Sequence, residues 1–93
     1  MERVASNINM YLAKVFVHLK PNVSDPEGQT IQVGLKNLGF NSVKDVRFGK
    51  YIEILVDKDS KSDATNEING MCSKLLANPV IEQYSFELSK LKS

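Results

Sequence analysis

The side chains with chemical reach are few: one thiol, Cys72, one imidazole, His18, and a run of carboxylates at Asp57, Asp59 and Asp63. A nucleophilic Cys–His pair needs both groups within hydrogen-bond reach. Cys72 falls on the apolar stripe of a segment with helical spacing and His18 in an apolar run that reads as a strand, so Cys72 is expected as a small buried hydrophobe. One histidine and one cysteine are too few soft ligands for a transition-metal cluster. The three aspartates lie in the lysine- and serine-rich loop DKDSKSD, without the paired placement that acid–base chemistry requires. No catalytic, cofactor-binding or metal-binding residue is expected on this chain.

The stretch KPNVSDPEG, Lys20 to Gly28, admits three uses: cradling a phosphate, capping a helix or presenting a docking surface. Pro26 disfavours a helical backbone at Asp25 and suits the first helical position, where its missing N–H is no loss. Asp25 is therefore expected to cap the helix, with a Ser24/Glu27 capping box as the rival arrangement. Either fills the helix start with an anion, which weakens the phosphate reading. Arg47 and Lys50 flank Gly49 on a predicted hairpin, where a partner contact competes with ordinary solvation. Phe16 and Tyr51 lie on two strands expected at the sheet centre, an arrangement that stacks bases in single-strand RNA readers. Glu53 beside them and a net charge of +1 weaken that use, and packing is favoured.

The elements that must hold these residues follow from hydrophobic periodicity. Met10 to Leu19 is apolar on both parities, which suits a central strand. Ile31, Leu35 and Leu38 give a helix over Pro26 to Leu38, closed by Gly39 as a left-handed cap and by Phe40. Ser42 to Phe48 and Lys50 to Asp57 read as a strand pair, joined by a three-residue Arg47–Gly49 loop that puts Val46 on the face of Ile52 and Ile54. Ala64, Ile68, Met71, Cys72, Leu75 and Leu76 mark a second amphipathic helix, stopped by Asn78-Pro79. Val80 to Leu88 alternates and reads as the last strand, with Tyr84, Phe86 and Leu88 inward.

With 93 residues, 42% hydrophobic and 25% charged, the chain is expected to be one globular domain. Residues 1–9 are expected as a flexible extension, 10–89 as the domain and 90–93 as a tail. The order strand, helix, strand, strand, helix, strand predicts an α+β, ferredoxin-like two-layer sandwich: a four-stranded, mainly antiparallel sheet with two helices on one face. The opposite face would carry Leu12, Phe16, Tyr51, Leu55 and Ile81, too apolar to leave wet, and is expected to dimerise. No segment has the length and apolarity of a membrane span, no secretory signal opens the chain, and the near-neutral charge argues against nucleic acid. A lone cysteine fits a reducing, cytoplasmic setting.

Three stretches together resemble the small PurS subunit of phosphoribosylformylglycinamidine (FGAM) synthase: KPNVSDPEG, LGFNSVKDVRFGKYIEI at Leu38 to Ile54, and MCSKLLANPVIEQYSFE at Met71 to Glu87. The resemblance spans Tyr11 to Leu88. It implies a non-catalytic subunit of purine biosynthesis, a homodimer or homotetramer that assembles with a large PurL-type synthetase and a PurQ-type glutaminase. In that complex formylglycinamide ribonucleotide, ATP and glutamine become formylglycinamidine ribonucleotide, ADP, phosphate and glutamate. ATP, Mg and glutamine would be used by the partners and none bound by this chain. The chain departs from the family pattern at Ser24, Glu27 and Gly34, where an aliphatic residue, glutamine and alanine are usual. Lys20, Pro21, Asp25, Pro26, Gly28, Arg47, Gly49, Lys50, Asn78 and Pro79 are the partner-contact candidates. The rival reading is a ferredoxin-like domain that binds a small effector at the loop after the first strand.

Overall fold

The computed structural model describes residues 9–91, so the expected N-terminal extension lies outside the described residues except for Asn9. The strand β1 (Met10–Leu19) is followed by helix α1 (Pro26–Asn37), strand β2 (Gly49–Asp57), helix α2 (Lys61–Met71), a π-helical turn at Cys72–Leu76 and strand β3 (Glu82–Lys90). β1 is central, antiparallel to β2 on one side and to β3 on the other. The strand alternation fixes the register: Val15 stands opposite Ile52 and Phe86, and Ala13 opposite Ile54 and Leu88. One face thus collects Tyr11, Ala13, Val15 and Val17 with Ile52, Ile54, Val56, Tyr84, Phe86 and Leu88. At the other end of the sheet the Leu91 N–H donates to the Met10 carbonyl and the Lys58 N–H to that of Asn9, which closes the strand ends.

Helix α2 covers this inner face. Ser60 caps it by accepting from the Asp63 N–H at 3.1 Å. Ala64, Ile68 and Cys72, one turn apart, are all fully buried against the strands. The last turn then widens: the Ala77 N–H reaches five residues back to the Cys72 carbonyl, at 2.9 Å. That shift of phase carries Leu75, expected in the core from its spacing, out to 83% exposure, while Leu76 and Ala77 stay against the core.

The sheet has three strands and not the expected four. Residues 42–48 run without ladder pairing; the Phe48 N–H donates to Asp25 Oδ2 at 2.8 Å and the Val46 carbonyl lies close to Gly28, which holds the end of this segment against the start of α1 rather than beside β2. The second departure concerns α1, which was expected beside α2 on the sheet. Only Gly28 of α1 is buried, and the helix lies along none of the strands. With its return segment it forms an arm, and the molecule measures 49 × 28 × 20 Å with a radius of gyration of 17.1 Å. A compact domain of this length has a radius of about 12 Å.

The arm ends as the spacing predicts: Gly39 takes φ 97° and the Phe40 N–H donates to the Leu35 carbonyl at 3.0 Å. Because Ile68 is the largest fully buried side chain under α2, Ile68→Ala is expected to destabilise the chain by about 2–5 kcal/mol. Urea unfolding measures it. A loss below 1 kcal/mol on the same scale would mean that α2 is not what holds the core.

Candidate functional site

Strand direction brings the end of β1 and the starts of β2 and β3 to the same end of the sheet. The loops that carry the partner-contact candidates, 20–25, 46–50 and 77–81, therefore meet there, although 59 residues separate Lys20 from Pro79. Lys20 bridges two of them: its backbone N–H donates to the Ile81 carbonyl and its Nζ to the Pro79 carbonyl at 2.8 Å. The Ala77 backbone is extended, and Asn78 turns the chain by accepting the Val80 N–H on its side-chain oxygen at 3.0 Å.

Asp25 organises the other two loops. One carboxylate oxygen accepts the Gly28 N–H at 2.9 Å, the helix cap expected from DPEG, and the other accepts the Phe48 N–H. Those two backbone bonds, Phe48's foremost, hold the Asp25 carboxyl below the ordinary aspartate value of 3.8, with the Arg47 charge adding a smaller pull. The Ser24/Glu27 capping box does not form. Arg47 is committed to the same loop: its guanidinium donates to the Lys20 carbonyl at 3.1 Å and to the Val23 carbonyl at 3.4 Å, with Nε 3.8 Å from Asp25. The helix start is thus filled by its own chain's anion.

Two glycines are required by close approach. A Cβ at Gly28 would collide with the Val46 carbonyl and the Asp25 carboxylate, and one at Gly49 would come within 2.8 Å of the Val17 carbonyl. Pro21 and Pro26 stay exposed on the surface of this end.

Glu82 is the residue that sequence reasoning missed. Its carboxylate accepts the Asn78 N–H at 2.7 Å and sits 3.7 Å from Lys50 Nζ, so it ties the third loop to β2. The only signal for it was its place at the foot of an alternating strand, which many solvated glutamates share. Beside it, between the open sheet face and the Arg47–Lys50 segment, lies a cleft of about 660 Å³ lined by Phe16, His18, Arg47, Lys50, Tyr51 and Gln83 among others.

The face expected to dimerise is less apolar than foreseen. Leu12 and Leu55 are half-buried, Phe16 and Tyr51 are 37% and 52% exposed, and the two rings lie 5.3 Å apart. Lys14, Glu53, Ser85 and Glu87 share that face, and Ile81 falls in the turn before β3. Cys72 sits in the core, where burial pushes its thiol pKa up. Among the described residues no three His, Cys, Asp or Glu side chains gather as metal ligands, and no helix is long and apolar enough to cross a membrane.

Comparison with known proteins gives a consistent result. The family model described as PurS, phosphoribosylformylglycinamidine (FGAM) synthase, matches residues 12–90. The phosphoribosylformylglycinamidine synthase subunit PurS of Synechocystis is 43% identical, over 88% of this chain and 82% of that protein. The crystal structure of Methanocaldococcus jannaschii PurS, described as one of the subunits of formylglycinamide ribonucleotide amidotransferase in the purine biosynthetic pathway, superposes with a TM-score of 0.80. It is 44% identical and aligns over 88% of this chain and 99% of that one. A chain in the structure of PurLQS from Thermotoga maritima matches with a TM-score of 0.80 and 32% identity, over 86% of this chain and 98% of that chain.

The Asp25 geometry fixes the sign of a pH dependence. A carboxyl whose pKa is lower folded than unfolded adds stability above the unfolded value, and that contribution fades as pH falls through the folded one. Asp25→Asn is therefore expected to be less stable than the parent at pH 7 and to converge with it as pH falls below the ordinary aspartate value and through the lowered one of the folded chain. Urea midpoints across that range check this, and a constant gap between the two curves would contradict it.

Proposed function

Since the chain belongs to the PurS family of FGAM synthase subunits, we propose that it works as a non-catalytic bridge that holds a PurL-type synthetase and a PurQ-type glutaminase in one complex. It is the PurS subunit of an enzyme of purine biosynthesis. That enzyme converts formylglycinamide ribonucleotide, ATP and glutamine into formylglycinamidine ribonucleotide, ADP, phosphate and glutamate. The chain supplies no reacting group; ATP, Mg and glutamine are handled by the partners. It acts in the cytoplasm, as a homodimer or homotetramer.

The observation that carries this reading is the pinned end of the sheet. Three loops from distant parts of the sequence are locked to one another through Asp25, Arg47, Lys20 and Glu82. Each bond joins a charged side chain to backbone, so the loops keep one shape when a partner meets them, and little ordering entropy is lost on binding. Pro21, Pro26, Lys50 and Pro79 are exposed on that end as contact points. Ammonia released by a glutaminase must reach the synthetase before it escapes into water, and a subunit of fixed shape between them sets the distance it travels.

Reconstitution tests this role. The synthetase and glutaminase are expected to form product from glutamine only when this chain is added, whereas free ammonium is expected to support the synthetase without it. Equal glutamine-dependent activity in the absence of the chain would overturn the bridging role.

A further inference from the structure

The open face of the sheet carries a pair of rings. Phe16 and Tyr51 stand opposite each other on β1 and β2, with centroids 5.3 Å apart and planes tilted by 41°. Both stay in contact with solvent, and the Tyr51 hydroxyl donates to Glu53 at 2.7 Å, which holds its ring in place. Two neighbouring rings that water still reaches offer a surface on which a third flat ring can stack.

The next pair toward the loops on this face, His18 and Gly49, lies two residues along the strands, about 7 Å away. Gly49 carries no side chain, and on β3 the residues beside Phe16 and His18 are Ser85 and Gln83. These small or polar neighbours leave open the cleft of about 660 Å³, a volume within the range of small-molecule sites.

The polar lining of that cleft is weighted toward cations. Lys50, Arg47 and His18 line it with one carboxylate, Asp45, whereas Glu82 and Asp25, which balance Lys50 and Arg47, do not. Lys50 is the least committed charge: its side chain is 60% exposed, and its Nζ is 3.7 Å from Glu82, too far for a hydrogen bond. Arg47 donates to the loop carbonyls of Lys20 and Val23, so it supplies charge rather than a direct contact. The side-chain nitrogen of Gln83, 2.9 Å from His18 Nε2, can only donate. His18 Nε2 therefore accepts, and the ring proton sits on Nδ1 as a further donor.

A ring platform with a cation and an N–H donor one strand repeat away matches an aromatic base joined through a sugar to a phosphate. We propose that this cleft binds a nucleoside 5′-monophosphate, with the base stacked on Phe16 and Tyr51 and the phosphate beside Lys50 and His18. A single phosphate is met by local cations, so the net charge of +1 that disfavours long nucleic acid does not tell against it. Formylglycinamide ribonucleotide, which has a phosphate but no aromatic ring, lacks the part that the ring pair would hold. The inference rests on the cleft and not on the bridging role.

Titration calorimetry and amide NMR on the full chain test this, with adenosine and guanosine 5′-monophosphate as the probes. At least one of the two is expected to bind in the submillimolar range and to shift the Phe16, His18, Gly49 and Tyr51 amides. Ribose 5-phosphate, which lacks the base, and the free nucleoside, which lacks the phosphate, are each expected to bind at least about tenfold more weakly. Tyr51→Leu and Lys50→Gln, both at exposed side chains, are each expected to weaken the nucleotide about tenfold, and Lys50→Arg to keep most of the affinity. No binding of either nucleotide, equal binding of ribose 5-phosphate, or unchanged affinity in either weakening variant would overturn the site. A chain that binds neither nucleotide yet restores glutamine-dependent activity would end the nucleotide site and leave the bridging role intact. Nucleotide binding by a chain that restores no activity would do the reverse.

Discussion

One carboxylate sets the shape of this molecule. Asp25 accepts from Gly28 at the start of α1 and from Phe48 just before β2, so it closes a loop of more than twenty residues at its neck. A charge-assisted bond of this kind is about twice as strong as a neutral one, and here two converge on one group. The consequence is topological. With both bonds made, the segment before Phe48 ends beside the start of α1 and not beside β2.

Behind that neck the fold is held by ordinary means. β1 is buried on its inner face from Tyr11 to Val17, and α2 seals it through Ala64, Ile68 and Cys72. The loop end of the sheet is built differently, from side-chain-to-backbone bonds across loops that have little apolar burial of their own. This division suits the proposed bridging role: the core supplies stability, and polar ties give the loop end a fixed shape. Arg47 illustrates the point, since its guanidinium is directed at the carbonyls of Lys20 and Val23.

Much of this was legible in the sequence. The apolar run Met10–Leu19 was legible as the central strand, the alternation in Val80–Leu88 gave the inward side chains of the last strand, the DPEG stretch gave the cap, and Gly39 gave the left-handed end of α1. Family membership was legible from three stretches in order. What failed was tertiary. SVKDVRF has the β-branched spacing of a strand, but a carboxylate more than twenty residues upstream takes the Phe48 N–H and ties the end of that stretch to the start of α1. Leu75 has core spacing on a regular helix, and a single widened turn moves it to the surface. Glu82 looked like any solvated glutamate until Asn78 and Lys50 were brought to it.

The neck itself can be watched directly. If Asp25 holds both ends of the arm, the Gly28 and Phe48 amide protons should shift together in an NMR pH titration, with one shared midpoint below 3.8. Two unrelated midpoints, or a Phe48 amide that does not respond to the carboxyl, would mean that the arm is not held by this group.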